Sequence, residues 1–181
     1  MLAIGTPSFT TYLQASKLAS AAQSYLTGVQ LARAEAIRRN QPVEFVLTDL
    51  PIAPNIQNVA GLNNPNGRNW LVRVLNPGPP ATFDLIEAKS ALEGSFTSTG
   101  VPSITVIGAA AAPAVFDGTL SFNGFGAITP VPAAYTLDLR NPSGGACAPA
   151  GPMRCPQIRV SAGGQAHLCD PIAAAGDSRA C

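Results

Sequence analysis

The residues able to do chemistry in this 181-residue chain crowd its C-terminal end. The four cysteines are Cys147, Cys155, Cys169 and Cys181, and the only histidine, His167, stands two residues before Cys169. Thiols at such density either ligate a metal or form disulfides. No C-x-x-C is present, so the metal reading has no spacing to support it. An even number of cysteines in Gly/Pro-rich sequence favours disulfides, and with them an oxidising compartment. No metal and no cofactor are expected. Arg154, Arg159, His167 and Arg179 share the same tail. Gathered on one face, the three arginines would hold a phosphate backbone without sequence preference, in a salt-sensitive way.

Catalytic patterns are poor. H-E-x-x-H, a Walker loop and an EF-hand are all absent. Gly124–Gly126 opens like a dinucleotide loop, but position 129 is Thr and no helical pattern follows. His167 lies on an expected strand beside a cysteine and reads as a surface or hydrogen-bonded strand residue. The acidic residues are scattered. The expectation is therefore a protein that is not an enzyme. A second basic pair, Arg38 and Arg39, needs no ligand to explain it. Cations in a last helical turn complement the helix dipole, and Glu35 sits three and four residues before them.

The elements that must position these residues follow from composition and periodicity. Charged residues make up 12%, about half the usual quarter of a soluble chain. With 17 Gly and 17 Pro, this suggests a loop-rich, extracytoplasmic β domain. The net charge of +1 supplies no global field for steering nucleic acid or membrane. Only Met1–Ile4 is apolar before Gly5 and Pro7, far short of the roughly 20 residues of a membrane span. Export without a visible leader implies that the leader was removed or that the true start lies upstream.

Thr6 is a plausible N-cap, and Pro7 fits the first helical position. Leu18, Ala22, Tyr25, Val29, Ala32 and Ala36 then define one helical face. Small residues along the helix, among them Ala19, Ser20, Ala21 and Ala34, permit close packing. The helix would run about nine turns, or about 50 Å, with its N-terminal part projecting or continuing an upstream helix. Asn40 and Pro42 end it. Pro42–Asp49 alternates as a half-buried strand, and residues 50–69 read as a long Pro/Asn loop. Further strands are expected at Trp70–Leu75, Thr82–Ala88, Ser103–Gly108, Thr119–Asn123, Tyr135–Arg140, Gln157–Ala162 and Gln165–Asp170, with Ala109–Ala114 as loop. Ser161–Gly164 is a hairpin turn signal. The fold class is α+β, a long N-terminal helix packed on antiparallel sheets. Residues 1–40 form the helix, and 41–181 a β-rich globular part that is a single domain with it.

These residues carry a resemblance. Pro7–Phe45, with Leu31, Ala32, Arg33, Glu35, Ala36, Ile37, Arg38 and Arg39 as its centre, resembles the N-terminal region of the GspH/FimT family of minor pilins and pseudopilins. Arg154–Cys181 resembles the C-terminal hairpin and cysteine tail of FimT-like members, and Ser121–Ile128 their glycine-containing strand. The middle of the chain matches loosely. The resemblance implies a type IV pilin-like fold and a structural, non-enzymatic minor pilin acting in pilus assembly or at the tip. A GspH-like pseudopilin of a type II secretion system is the alternative. It further implies anchoring in the bacterial inner membrane by an apolar helix upstream of Leu2–Phe9, a periplasmic domain, and packing on other major and minor pilins through that helix.

Members linked to DNA uptake carry a basic G-R-x-R before the penultimate cysteine. Aligned on Cys169, this chain reads Gly164, Gln165, Ala166, His167, so Gln165 and His167 replace both arginines. A DNA role would then rest on Arg154, Arg159 and Arg179. Spacing leaves all three cysteine connectivities open. Cys147–Cys155 and Cys169–Cys181 are expected, since each closes a short loop with little apolar sequence to hold it. The rival Cys155–Cys169 would link the strands of the last hairpin. A third class, an extracytoplasmic hydrolase, would need carboxylates converging in a pocket.

Overall fold

The computed structural model describes residues 6–78, 80, 82–90, 104–111, 115–130 and 134–181. Met1–Ile4, Ser103 and Ala112–Ala114, on which expectations fell, lie outside them, as does the side chain of Thr6 proposed as a cap.

Helix α1 spans Thr6–Arg39, 34 residues. Its predicted inner face is the buried one: Leu18, Ala22, Tyr25, Val29, Ala32 and Ala36 are all 3% exposed or less. The helix ends in a Schellman motif. The Gln41 N–H donates to the Ala36 carbonyl and the Asn40 N–H to the Ile37 carbonyl, both at 3.3 Å, closing two orphan carbonyls. Asn40 takes the left-handed conformation the motif requires, with φ 51°. Upstream of Gln14 the helix leaves the body, since Tyr12 is 70% exposed.

Nine strands follow among the described residues: β1 (Val43–Thr48), β2 (Asn69–Asn76), β3 (Thr82–Lys89), β4 (Thr105–Ala110), β5 (Thr119–Phe122), β6 (Ile128–Thr129), β7 (Tyr135–Arg140), β8 (Gln157–Val160) and β9 (Ala166–Cys169). They form a five-stranded sheet in the order β3-β2-β1-β5-β6 and a four-stranded sheet in the order β4-β7-β8-β9. Each of these pairings is antiparallel. One core joins the helix to both sheets. At its centre Phe45 stands opposite Val72 on one side and Leu120 on the other. Gly28 lets the helix approach here, since a Cβ on it would lie 2.9 Å from the rings of both Phe45 and Trp70. Polar ties fix the helix's rotation. The buried Tyr25 hydroxyl donates to the Arg68 carbonyl. The side-chain amide of Asn141, itself buried, donates to Gln14 Oε1 at 2.8 Å.

Three expectations need correction. Strand β1 is not half-buried. The loop after it, expected over residues 50–69 as a long Pro/Asn loop, gives up Asn69 to β2, contains a 3-10 turn at Ile56–Asn58 and covers the sheet's second face. There Val46 and Leu71 pack on Ile56 and Leu62. Ala109 and Ala110 belong to β4 because β7 pairs with them, opposite Thr136 and Tyr135. Alanine has little strand preference of its own, so the partner imposes the conformation. Strand β6 is too short to show any periodicity, yet its Ile128 is fully buried.

Candidate interaction surfaces

The outer face of α1 is a long, regular surface. Its exposed positions step through Ser16, Ala19, Ser20, Gln23, Thr27 and Gln30 to Ala34. Between Lys17 and Arg33 the helix carries no charged residue. This is unusual for a solvent-facing helix, whose outer stripe is ordinarily rich in charged and polar residues. Small uncharged side chains allow another helix to approach closely without burying an unpaired charge. Charge returns only at the joint with the sheet. There Glu35 accepts from Arg38 at 2.6 Å and from Arg39 at 2.7 Å. These two guanidiniums hold the Glu35 carboxyl at a pKa of about 2.

The C-terminal tail is organised by two disulfides. Cys147 is bonded to Cys155 and Cys169 to Cys181. The first closes a loop whose Met153 enters the core. The second returns the chain end to β9, so that Asp170 and Ala180 form a parallel bridge. Of the four tail residues considered for phosphate contact, the register places Arg159 directly across from His167, both exposed. Arg159 also donates to Gln157 Oε1 at 2.7 Å and to the Cys181 carbonyl. Arg154 and Arg179 are held elsewhere, by Asp170 and Asp177, at 2.8 and 2.7 Å. These four charges lie close enough to influence one another. Asp177 is held at a pKa of about 2, chiefly by its hydrogen bond from Arg179 and in smaller part by Arg154. Two cations against two acids leave the cluster neutral, with little field for a phosphate chain.

A third surface takes in the stretch Gly164–His167, which stands where the resembled family carries its G-R-x-R. A groove of about 460 Å³ runs between Gln30, Arg33, Ala34 and Ile37 of α1 and residues 164–167 of the β8–β9 hairpin. It gathers Gly164, Gln165 and His167 with Arg33, a helix residue more than a hundred positions away. Arg33 Nε donates to the Gly126 carbonyl at 3.1 Å, which fixes the guanidinium at the groove wall. Gly164 explains its own identity: with φ 75°, a Cβ there would fall 1.9 Å from the Gly126 oxygen. In the sequence Arg33 stands only as part of the family-like helix motif; its place in a groove arises through the packing of hairpin on helix. Among the described residues no three groups of metal-ligating type converge. No helix there is long and apolar enough to cross a membrane.

The family model described as "Type II transport protein GspH" matches residues 21–164. No curated protein matches the sequence. Among solved structures, the type IV minor pilin FimU of Pseudomonas aeruginosa is similar at 16% identity and a TM-score of 0.55, covering 84% of this chain and 88% of that one. The minor pseudopilin EpsH from the type 2 secretion system of Vibrio cholerae is similar at 14% identity and a TM-score of 0.50, covering 85% of this chain and 96% of that one. At these identities the likeness is one of fold: a long helix followed by antiparallel sheets.

Proposed function

Because this chain belongs to the GspH family, we propose that it is a minor pilin, a structural subunit that helps to initiate or cap a type IV pilus. The observation that carries the reading is the outer face of α1. It is regular, uncharged for about four turns, and continues toward an N-terminal end that already leaves the body at Tyr12. Such a face suits helices bundled in a filament core. The inner face is fully used by the protein's own sheets, so the two faces divide the labour between folding and assembly. In this reading α1 continues upstream as an apolar helix that holds the subunit in the bacterial inner membrane before assembly, and the β domain faces the periplasm. Its role there is positional rather than catalytic. The pseudopilin alternative uses the same face in a type II secretion pseudopilus.

The test is incorporation. Ala19→Arg and Gln23→Arg place guanidiniums on the outer face without touching the core. Expressed with the native upstream sequence, both variants should vanish from sheared pili, or from the pseudopilus fraction, while the soluble domain melts as before. Normal incorporation of both variants would sink the proposal. The filament that contains the wild-type protein decides between pilus and pseudopilus.

A further inference from the structure

The outer edge of β9 is only half used. In an antiparallel pair, alternate residues direct their backbone groups toward the partner strand. The Ser161 N–H donates to the Gln165 carbonyl at 2.9 Å, and Arg159 faces His167. Gln165, His167 and Cys169 therefore bond inward to β8, while Ala166 and Leu168 turn their N–H and C=O groups outward. One step further along, the same edge is occupied. The Asp170 N–H donates to the Arg179 carbonyl at 2.6 Å, in the tail that the Cys169–Cys181 bond returns to the sheet. Among the described residues nothing pairs the outward groups of Ala166, which lines the groove, or of Leu168, two residues further along the strand.

We propose that this groove receives an extended acidic segment of a neighbouring subunit, added to β9 as a further strand. The edge argues for polypeptide. A row of open N–H and C=O groups recognises another main chain, and the protein's own tail already supplies one at Asp170. Arg33 argues for acidity. Its Nε is fixed on Gly126, its two η nitrogens have no partner among the described residues, and no acid lines the groove. Ala34 and Ile37, the latter 49% exposed, offer apolar contact to the segment's alternate side chains. Two open residues make a weak site by themselves. Between subunits already held side by side, effective concentration compensates for this. The inference rests on the subunit reading only for the source of the segment.

The test uses the whole isotope-labelled chain, titrated with acetyl-EVEVTVE-amide, its lysine counterpart acetyl-KVKVTVK-amide, and a short oligothymidylate. The acidic peptide should shift the Ala166 and Leu168 amides and slow their hydrogen exchange, with a Kd of about 1 mM or tighter. Arg33→Gln should weaken it about tenfold, the loss of one charge-assisted hydrogen bond. Ala166→Pro removes an outward N–H but none directed at β8, so it should abolish binding and leave melting unchanged. Should that variant fail to fold, acidic peptide N-methylated at alternate residues gives the same readout, and should not bind. Absence of any shift overturns the proposal, as does equal binding of both peptides. Binding of the oligothymidylate in place of the acidic peptide would assign the groove to nucleic acid and also overturn it. Because the titration needs no filament, its failure is distinguishable from failure of the incorporation test.

Discussion

Helix α1 with the five-stranded sheet and the cystine-bearing tail beyond Arg140 solve the same problem by different means. The first is held by apolar burial. Six helix residues and the row Val72, Phe45, Leu120 form a continuous interior. In the tail only Met153, Ile158, Val160 and Cys169 are buried apolar side chains. Two disulfides and a neutral cluster of ion pairs do the rest. A segment too poor in apolar side chains to offset the entropy of ordering it needs crosslinks that restrict the unfolded chain instead. The difference also frees the tail's surface, since few of its exposed residues are constrained by packing beneath them.

Truncating the centre of the first region should have the largest effect. Phe45→Ala would leave a cavity under the helix, and should lower stability by about 3–5 kcal/mol in denaturant titration. Removing Cys169 and Cys181 together, each as Ala, deletes a crosslink of sequence separation 12. Loop closure of that size is worth about 3 kcal/mol. The loss should be local: exchange protection should vanish over residues 170–181 while the helix and first sheet keep theirs. If the whole molecule unfolds as early as Phe45→Ala does, the tail belongs to the core and the contrast fails. Gly28→Ala sharpens it from the other side. One methyl group inserted between the helix and the rings of Phe45 and Trp70 should cost about 1–3 kcal/mol. At Gly176 an added methyl would have nothing within 4 Å, so it meets no such packing limit, only the strain of a positive φ.

The two regions also differ in how far they could be read from sequence. In the first, periodicity is a direct record of burial. The steps from Leu18 to Ala36 mark the inner face, and Asn40 with Pro42 marks the joint. What escaped was the second face of β1. Val46 is apolar out of phase with its strand, and the loop that covers it has no periodicity to announce the fact. In the tail, composition announced disulfides. Yet the fate of each arginine depends on acids brought in by the return of the chain to β9, which no spacing encodes. Arg33 is the sharpest case. In sequence it belongs to the helix end, and only the hairpin packed against it makes it part of a groove. Local patterns report what one element buries, and sites made by two distant elements stay hidden.

The smallest effect lies within the first region and tests whether the joint between α1 and β1 is electrostatic. The Glu35 carboxyl is lowered from its ordinary value of 4.5 to about 2 by the hydrogen bonds of Arg38 and Arg39. A carboxyl whose folded pKa is depressed adds stability above its unfolded pKa and loses it as pH falls through the folded value. The contribution should therefore be complete above pH of about 5 and fade between about 4.5 and 2. Arg38 is largely exposed, so the pair is screened by water, and Glu35→Gln should cost no more than about 0.5–1 kcal/mol at neutral pH. Parallel denaturation of wild type and variant from about pH 7 to about pH 2 should bring the two curves together at the acid end. A gap that persists there would mean that Glu35 acts through packing at the helix end, and that the Schellman turn at Asn40 fixes the joint without help from charge.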